Sequence, residues 1–588
     1  MTFFQSIYRR FIEILTLKDD EDKGRNYEEF FYSLNSSQLP SFFNWAEEIV
    51  EGLHLKERGE QSALLWVSLD SWDVKRYTYS DFVSEANKLI NFLRGHGMRK
   101  GSKLYIMLPQ VPEVFFATYA SIKAGFVGVP TAVVMTVREL QYRFKAFPPD
   151  AIIADVNSAR LVDEALKASN SRPNVKILVG GDIATWESYE SIKKESALAE
   201  AAKTNIDDIV LAFFTSGTTG LPKIVAHTAV SYPVGHLSTA AMINAKPGDL
   251  HNNLSAPGWA KFAWSSFFPP LSIGATTSAF YHAGKLPAEK YLQAINDFNV
   301  NTFCAPPTAW RLFRAQVKLN EFKFEDLKEV VSAGEPLNPE LYYWFKEATG
   351  IEIRDMYGQT ETTAMIGNPP WWKGGKIRPG SFGRPIAMYD IVLLNDDGRE
   401  INNAGEVGHI AIRLKRWRAI GLMKEYIGDP NRMKETFVNG YYYTGDKAYF
   451  DTNGYWWSVG RADDVIKSSD YRIGPYEVES ALVEHHAVAE AAAVASPDPM
   501  RYQVVKAFVS LKPGFIPSKE LAKDIWDHLL NVLPRYKVPR IIEFVDELPK
   551  TISGKIRRVE LRELEMRKRN KGERGEKEYF FEEVMKAK

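Results

Sequence analysis

The sequence predicts an α/β protein, with a large N-terminal domain of layered α/β subdomains, a small β subdomain, and a smaller α+β C-terminal domain. Its 588 residues are too many for one hydrophobic core, because a domain usually holds about 100–200 residues. From about residue 75 to about residue 460, short apolar runs alternate with helical patterns, as in buried parallel sheets covered by helices. Beyond that region a shorter mixture of helical and strand-like segments indicates a second unit.

Residues 1–60 are predicted to form an N-terminal helical arm, in which "SFFNWAEEIVEGL" is amphipathic. The first segment does not resemble a signal peptide, since Arg9, Arg10 and Glu13 interrupt its apolar run. No apolar run approaches the roughly 18 residues of a membrane span. We therefore expect a cytoplasmic protein.

Residues 61–462 are predicted to form the large domain. Its strand-like runs include "KLYIML", "AIIAD", "VKILVG", "IVLAFF", "TFCAPP" and "EVVSAG". From about residue 395, "IVLLNDDGREI" and "GEVGHIAIRL" indicate β segments around an Asp-Gly turn.

Residues 463–588 are predicted to form the small domain, which ends in a charged tail. Helix "GPYEVESALVEH" has Pro475 in its first turn and early acids at Glu477 and Glu479. Strand-like "VVKAFVSL", amphipathic "ELAKDIWDHLLNVL" and strand-like "RIIEFV" follow. From about residue 562 the chain is so rich in charge that we expect a solvated helix or a frayed tail.

Composition excludes several classes of function. Lys and Arg together number 74, as do Asp and Glu, so no global basic field attracts nucleic acid or anionic lipid. The single cysteine, Cys304, excludes an intramolecular disulfide and a cysteine-based zinc site, and it suits a reducing compartment. Because it lies in the apolar run "NTFCAPPTAW", we interpret it as a buried small hydrophobe.

The stretch "LAFFTSGTTGLPKIVAH" is a candidate phosphate-binding loop. It is not a Walker A loop, because Pro222 precedes Lys223 and Ile224 follows it, and Gly-x-Gly-x-x-Gly is also absent. The flanking runs are strand-like, so the loop is predicted to join two strands and to hold an anion through backbone N–H groups, hydroxyls and one ammonium. The candidate phosphate ligands are Thr215, Ser216, Gly217, Thr218, Thr219, Gly220 and Lys223.

Five further segments follow this loop in the chain: "SAGEPL", "DMYGQTETT", "YYTGDKAYF", "GRADDVIKSSDYRIG" and "LPKTISGKIRR". In this order they resemble the signature segments of the adenylate-forming superfamily, which includes acyl-CoA synthetases, adenylation domains of peptide synthetases and luciferase. The resemblance extends over about residues 60–560. "YRIGPYEVESALVEH", "SPDPMR", "VVKAFV" and "YKVPR" are most similar to medium-chain acyl-CoA synthetases, near the acetyl-CoA synthetases.

The resemblance implies a two-step reaction that uses ATP, Mg²⁺ and coenzyme A. A carboxylic acid and ATP give acyl-AMP and pyrophosphate, and the CoA thiol then displaces AMP to give acyl-CoA. In that scheme the loop would bind the β- and γ-phosphates, Thr360 would contact the α-phosphate, and Glu361 would hold the metal, which prefers oxygen ligands. Asp446, assisted by Arg461, would bind the ribose hydroxyls. The residues implied for the adenine slot and its surroundings are Gly334, Glu335, Pro336, Asp355, Met356, Tyr357, Gly358 and Gln359.

The same resemblance assigns roles in the small domain, which it implies to be mobile. Lys555 would be the catalytic lysine, bridging the acyl carboxylate and the α-phosphate during adenylation. Asp463 would be the hinge about which this domain rotates between the two steps. Arg472 would then approach the AMP phosphate. The residues implied to lie near CoA are Ser469, Asp470, Tyr471, Arg501 and Arg540.

One position departs from the family's usual pattern, since Asp470 stands where most members have Gly. Glycine would allow a positive φ and a close approach of the pantetheine arm, whereas Asp adds bulk and negative charge near an anionic ligand. We therefore predict that Asp470→Gly lowers the KM for CoA in steady-state kinetics. An unchanged or higher KM would contradict this prediction.

The acyl group is predicted from another departure. Acetyl-CoA synthetases place a Trp before the Gln of "QTE", and here that residue is Gly358. The missing indole predicts room for a medium-chain, branched, hydroxylated or aromatic acid, with Trp259 as a candidate wall, and it predicts that Gly358→Trp favours acetate or propionate. Each well-buried methylene contributes roughly 0.8 kcal/mol.

Two alternatives remain open at this point. The first is an enzyme that hands its acyl group to a carrier protein, although no carrier domain follows residue 560. The second is a nucleotide-binding scaffold without turnover, which the presence of Lys555, Asp446, Glu361 and Lys223 disfavours. The predicted partners are therefore a small carboxylic acid, ATP and CoA, with a homo-oligomer possible.

Overall fold

A computed structural model describes residues 1–215, 222–371, 377–468, 471–499, 501–551 and 554–585, apart from the side chain of Arg472. The chain forms two compact units. Unit 1 contains Met1–Pro379, Gly383–Asp390 and Arg413–Gly440, and unit 2 contains Gly380–Phe382, Ile391–Ile412 and Tyr441–Lys588. The predicted domain boundaries after residues 60 and 462 stay predictions.

The α-helices of the described residues occur in both units. They are α1 (Phe3–Thr16), α2 (Asp20–Ser36), α3 (Lys56–Arg58), α4 (Tyr79–Gly95), α5 (Pro112–Lys123), α6 (Val137–Ala146), α7 (Ala159–Ser169), α8 (Tyr189–Ile192), α9 (Ser231–Gly235), α10 (Leu237–Ile243), α11 (Phe268–Ile273), α12 (Ala288–Asp297), α13 (Pro307–Gln316), α14 (Pro339–Thr349), α15 (Pro430–Thr436), α16 (Pro475–Val483), α17 (Lys519–Val532), α18 (Arg558–Asn570) and α19 (Phe581–Met585). Ala46–Leu55 and Phe262–Phe267 are π-helical, and Leu319–Glu321 is a 3₁₀ turn. In the part of the chain described, no helix is both long enough and apolar enough to cross a membrane.

The strands of the described residues are numbered in chain order. They are β1 (Ser62–Ser68), β2 (Val74–Thr78), β3 (Lys103–Met107), β4 (Val127–Pro130), β5 (Ala151–Asp155), β6 (Val175–Val179), β7 (Glu187–Ser188), β8 (Ile209–Thr215), β9 (Lys223–Thr228), β10 (Leu250–Asn253), β11 (Thr276–Tyr281), β12 (Thr302–Ala305), β13 (Glu329–Ala333), β14 (Ile353–Gly358), β15 (Ala364–Gly367), β16 (Arg384–Pro385), β17 (Ile391–Leu394), β18 (Gly408–Arg413), β19 (Glu425–Tyr426), β20 (Phe437–Val438), β21 (Tyr441–Phe450), β22 (Trp456–Arg461), β23 (Ile466–Ser468), β24 (Tyr471–Ile473), β25 (Val488–Asp498), β26 (Tyr502–Leu511), β27 (Ile541–Phe544) and β28 (Glu578–Phe580).

Unit 1 contains two large sheets, which confirms the predicted layered α/β class. A nine-stranded sheet runs β16-β15-β14-β13-β12-β10-β11-β1-β2, and an eight-stranded sheet runs β19-β9-β8-β4-β3-β5-β6-β7. Their central pairs are parallel, including β12 with β13, β13 with β14, and β3 with β4. Cys304 lies buried in β12, as its apolar surroundings predicted.

The candidate phosphate loop joins two strands, as predicted. Strands β8 and β9 pair antiparallel, and the register brings Thr215 opposite Lys223. The nearly continuous apolar runs on either side of the loop explain this hairpin, since both strands are almost wholly buried. Both ends of the loop are therefore held by adjacent strands of the eight-stranded sheet.

The N-terminal residues form helices, as predicted, and these helices pack against other parts of unit 1. The Tyr8 hydroxyl donates to the carbonyl oxygen of Pro233 at 2.9 Å. Asn35 donates through Nδ2 to the carbonyl oxygen of Met388 at 2.8 Å and accepts from the backbone N–H of Ile420 at 3.1 Å. These hydrogen bonds therefore tie α1 to α9, and α2 to Met388 and Ile420.

Unit 2 contains two smaller sheets. Strands β17, β18, β21 and β22 are neighbours in that order, and the "IVLLNDDGREI" and "GEVGHIAIRL" segments supply β17 and β18 as predicted. A six-stranded sheet runs β24-β23-β26-β27-β28, and β25 pairs with β26. Helices α16 and α17 cover one face of this sheet with Val478, Leu482, Ile525 and Trp526.

The prediction of a solvated helix or a frayed tail from about residue 562 is right only in part, because α18 is a helix with few buried residues but the segment also sends carboxylates into the core. Lys506 is fully buried, and its Nζ pairs with the carboxylates of Glu543 at 2.6 Å, Glu578 at 2.5 Å and Glu565. Glu565 lies in α18, while Glu578 begins β28, which pairs with β27. The charges of this segment are therefore internal partners of a buried lysine, whose unpaired burial would be very costly.

Candidate active site

The loops that follow β13 and β14 lie side by side at one edge of the nine-stranded sheet. The two strands are parallel, and their register pairs Ser332 with Asp355 and Ala333 with Met356. Residues 334–336 follow β13 directly and therefore lie beside the end of β14, residues 357–358, at the carboxyl edge of the sheet. The structure therefore brings the residues predicted for the adenine slot together. Ligand sites in open α/β sheets occur at such edges.

Asp355 holds these two loops in place. Its Oδ2 accepts from the backbone N–H of Leu337 at 3.0 Å, just after the 334–336 loop. Burial raises the pKa of Asp355 to about 8, although that hydrogen bond and nearby Lys261 act against the rise. Glu335 pairs with Arg311 at 3.1 Å. Asp355 is therefore a supporting group beneath the slot, whereas Glu335 lies partly exposed at its rim.

Glu361 and Lys223 form the charged centre of the site in unit 1. Lys223 Nζ lies 2.5 Å from Glu361 Oε1, and the Tyr426 hydroxyl donates to the same oxygen at 2.9 Å. Burial opposes ionisation of Glu361, but Lys223 and Tyr426 outweigh it, so the pKa of Glu361 lies below its ordinary value. Because the folded-state pKa is depressed, this pair stabilises the fold above the ordinary glutamate pKa and is lost only as pH falls through the lower folded-state pKa.

The carbonyl oxygen of Thr360 accepts hydrogen bonds from two buried side chains. His227 Nε2 lies 2.7 Å from this oxygen, and the Tyr232 hydroxyl donates to it at 3.2 Å. Burial lowers the pKa of His227 to about 3, so the imidazole is neutral and donates through Nε2. Thr360 is thus presented by a rigid turn, with its side chain half-buried.

The expectation that Gly358 leaves an open acyl pocket needs correction. A Cβ built on Gly358 would lie 2.2 Å from Cη2 of Trp264 and 2.2 Å from the carbonyl oxygen of Thr363. The missing indole at 358 is therefore replaced in space by the indole of Trp264, which lies in the π-helix Phe262–Phe267. This close approach requires glycine at 358, and Gly358→Trp cannot fit without displacing backbone, so it does not test chain length.

Trp259, the other predicted wall, is partly buried and packs against the core of the eight-stranded sheet around Ala132 and Phe214. Its role in an acyl pocket stays a prediction. Trp264 is buried, and its ring centroid lies 5.8 Å from that of His236, whose ring in turn meets Tyr232 at 4.4 Å. The wall beside Gly358 is thus connected through these two rings to Thr360, which accepts from the Tyr232 hydroxyl.

In unit 2 the structure brings Asp446 and Arg461 together. They are directly opposite in the antiparallel pair of β21 and β22, with Arg461 Nη1 3.5 Å from Asp446 Oδ1. The backbone N–H of Asp446 donates to Thr444 Oγ1 at 3.1 Å. The arrangement fits the carboxylate and guanidinium predicted to bind a diol.

Lys555 lies at the tip of a tight turn. Its carbonyl oxygen accepts from the N–H of Thr551 at 2.7 Å, and its own N–H donates to Thr551 Oγ1 at 3.0 Å. Gly554 has a φ of +84°, which only glycine adopts without strain. The side chain is exposed, so the turn presents the ammonium rather than burying it.

The residues predicted near CoA include a described aromatic and basic cluster in unit 2. Tyr471 stacks on Tyr536 with ring centroids 4.1 Å apart, and both are exposed. Burial lowers the pKa of Arg540, and the positive charges of Arg501 and Arg535 lower it further. The stacked rings and adjacent cations suit a nucleotide that carries phosphates.

The predicted hinge is held by a helix that sequence reasoning did not connect with it. Arg562, in α18, donates through Nη1 to the carbonyl oxygen of Asp463 at 2.8 Å and pairs with the Asp464 carboxylate. Burial raises the pKa of Asp464, and Arg562 opposes the rise. A single guanidinium therefore links the hinge backbone to the helix that follows Lys555.

Several predicted site residues fall outside the described part of the chain. They are Ser216, Gly217, Thr218, Thr219, Gly220, Ser469 and Asp470, together with the side chain of Arg472. Their predicted roles stay predictions.

Sequence reasoning missed Tyr426, His227, Tyr232, Trp264, Tyr536 and Arg562. His227 and Tyr232 carried a weak signal, as polar groups in an apolar stretch directly after the phosphate loop. The others lie far along the chain from the residues they support, so no local pattern marks them.

The chain is similar to known proteins over nearly its whole length. A profile of the AMP-binding enzyme family matches residues 54–427, and a profile of the AMP-binding enzyme C-terminal domain matches residues 477–555. The chain is 50% identical over 581 residues to 4-hydroxybutyrate–CoA ligase 1 of Metallosphaera sedula, covering 99% of this chain and 100% of that protein. It is 37% identical to the mitochondrial acyl-coenzyme A synthetase ACSM3 of Rattus norvegicus, covering 92% of this chain and 93% of that protein.

Two solved structures are also similar. The anthranilate CoA ligase AuaEII, solved in complex with anthranoyl-AMP, matches with a TM-score of 0.82 at 30% identity, over 90% of this chain and 99% of that one. A benzoate CoA ligase from Burkholderia xenovorans matches with a TM-score of 0.75 at 26% identity, over 88% of this chain and 100% of that one.

Proposed function

Because this chain belongs to the AMP-binding enzyme family and is an AMP-forming acyl-CoA synthetase, we propose that it activates a short hydroxy acid of the 4-hydroxybutyrate type. The observation that carries the proposal is the close approach of the Trp264 indole to Gly358, which we take to limit the length of the acid. The name of the relative that is 50% identical supports the same acid.

Adenylation needs a cation at the phosphates and a fixed approach of the carboxylate to the α-phosphorus. We assign the first task to Lys223, held 2.5 Å from Glu361, and the positioning of the α-phosphate to Thr360. Asp446 and Arg461 are assigned to the ribose, and residues 334–336 with Tyr357 to the adenine. Because AMP becomes the leaving group, no covalent bond between enzyme and acyl group is needed.

The carboxylate of Glu361 fits Mg²⁺, which prefers oxygen ligands, and Lys223 keeps this carboxylate ionised. Bound Mg²⁺ would neutralise phosphate charge there. Lys223 and Tyr426 orient Glu361 for that role.

For the second step we assign CoA to the face that carries Tyr471, Arg501 and Arg540, with Tyr536 and Arg535 added by the structure. Asp463 is proposed as the hinge, and residues 463–588 as the domain that rotates. We propose that Arg562 holds the carbonyl oxygen of Asp463 in one of the two domain orientations. That hydrogen bond must break when Asp463 changes its backbone torsions.

Acid-dependent pyrophosphate release tests the proposed function. We would measure it over straight-chain acids from acetate to dodecanoate and over branched, hydroxy and aromatic acids, each with and without CoA. The highest kcat/KM is expected for 4-hydroxybutyrate or a close hydroxy acid. No acid-dependent release from any of these acids would overturn the proposal.

Trp264→Ala is expected to move the preference toward longer acids, because it removes the wall beside Gly358. Each methylene newly accommodated should raise kcat/KM relative to butyrate roughly fourfold, from about 0.8 kcal/mol per buried methylene. Kinetics over the straight-chain series measure the change. Trp344→Ala, at a partly buried tryptophan in another core cluster, is the matched control. A chain-length profile identical to wild type would show that Trp264 does not limit the acid.

A further inference from the structure

His236 carries a buried polar atom that the site described above does not use. It lies between α9 and α10, is 1% exposed, and its Nε2 has no hydrogen-bond partner among the residues that the structure describes. A buried donor without a partner is destabilising, and such groups are rare in native proteins. Its retention therefore needs a reason.

The other ring nitrogen is engaged. Nδ1 lies 3.1 Å from Thr239 Oγ1, and Thr239 Oγ1 in turn accepts from the N–H of Ala364 at 3.3 Å. The Thr239 hydroxyl proton is then free to donate to Nδ1, which leaves the proton of the neutral imidazole on Nε2. Burial keeps the pKa of His236 well below its ordinary value, so the ring carries no charge.

The position of His236 relates this atom to the acyl end of the site. Its ring centroid is 5.8 Å from that of Trp264, and Trp264 contacts Gly358. The adjacent Gly235 carbonyl accepts from Thr363 Oγ1 at 2.9 Å, which ties this segment to the stretch after Glu361. His236 thus lies beside the Trp264 indole, which we propose limits the length of the acid.

The groups that surround the imidazole are otherwise aromatic. Phe268 stacks on its face at 5.5 Å, and Tyr232 meets it edge-on at 4.4 Å. The Tyr232 hydroxyl is committed to the Thr360 carbonyl. A ligand that satisfies Nε2 must therefore carry an apolar stem with one polar atom at its end.

We propose that His236 Nε2–H donates a hydrogen bond to the distal oxygen of the acid, so that His236 selects hydroxy acids over their unsubstituted counterparts. The inference rests on the proposed function and names the group that reads its substrate. In this arrangement the oxygen reaches Nε2 past the edge of the Trp264 indole, whose ring centroid lies 5.8 Å from that of His236, and the indole stays in place as the limit on chain length. A site built to pair with a substrate hydroxyl rejects the analogue that lacks it, because the buried donor is then left unpaired.

Two amide variants separate the two ring nitrogens. His236→Asn places an amide near Nδ1 and keeps the contact with Thr239, but it removes the group at Nε2. His236→Gln can place an N–H near the position of Nε2. Each variant and the wild type would be assayed with 4-hydroxybutyrate and with butyrate, and the ratio of the two kcat/KM values is the readout.

The wild type is expected to prefer 4-hydroxybutyrate. His236→Asn should lower that preference ~10-fold, whereas His236→Gln should retain most of it. A purely structural role would lower both substrates together and leave the ratio unchanged, and that result, or an equal loss of preference in both variants, would overturn the inference. His236→Phe, which keeps the stacking on Phe268, should match His236→Asn and replaces it if that variant does not fold.

His251→Gln is the matched control, because His251 is also buried but both its ring nitrogens have partners, Thr302 and Ser265. It should leave the ratio at the wild-type value. Wild-type enzyme that turns over both acids without preference would overturn this inference alone. Wild-type enzyme inactive on both acids would overturn the proposed function and this inference with it.

Discussion

Lys555→Met is expected to lower acid-dependent ATP–pyrophosphate exchange by ~10²–10⁴-fold, because we propose that the ammonium it removes offsets negative charge during adenylation. The turn from Thr551 to Lys555 keeps the side chain exposed. The substitution should therefore leave the free energy of unfolding almost unchanged. Exchange of labelled pyrophosphate into ATP, with saturating acid, measures this half-reaction.

The second half-reaction provides the contrast. Release of acyl-CoA from chemically prepared acyl-AMP and CoA no longer needs charge stabilisation by Lys555 in adenylation, so Lys555→Met should affect it much less. Lys571→Met, at an exposed lysine near Glu573, is the matched control and should resemble wild type in both assays. Exchange by Lys555→Met at the wild-type rate would show that Lys555 has no part in adenylation.

Glu361→Gln should be the second most severe change, with kcat/KM for ATP lowered by ~10²-fold. The substitution keeps the shape of the side chain but removes the negative charge that faces Lys223 at 2.5 Å. Lys223 would then lie in a largely buried site without its counter-charge, which is unfavourable. The Mg²⁺ concentration that supports half-maximal activity should rise, since a neutral amide is a weaker ligand than a carboxylate.

Activity titrated with Mg²⁺ at fixed ATP, together with the melting temperature, would separate loss of function from loss of fold. Glu352→Gln is the matched control, because Glu352 pairs with Lys346 at 2.8 Å away from the proposed ligands. A folded Glu361→Gln protein with wild-type activity and an unaltered Mg²⁺ requirement would refute the role assigned to Glu361.

Much of the candidate site could be predicted because its chemistry is carried by short segments. Each segment joins a strand or turn to a few polar residues, as in "DMYGQTETT" and "YYTGDKAYF". Strand periodicity also predicted the hairpin of β8 and β9, since both runs are apolar and short. Local pattern and local structure agree at these places, so the sequence suffices.

The rest depends on residues that meet only in three dimensions. Charge density predicted a solvated tail, yet Glu565 and Glu578 surround Lys506, which lies 59 and 72 residues earlier in the chain. Nothing in a run of charged residues tells whether a buried partner exists elsewhere. The same limit applies to Arg562 and the hinge carbonyl of Asp463.

The sequence by itself determined the α/β class, which follows from periodicity, and the family with its acyl-CoA synthetase activity, which follow from the resemblance of its short segments. Only the tertiary structure decided the shape of the acyl end. An absent side chain at Gly358 predicts open space, but packing brings the indole of Trp264 from 94 positions away along the chain into contact with it. Protein interiors are close-packed, so the space that one residue leaves is filled by whichever neighbour the fold delivers.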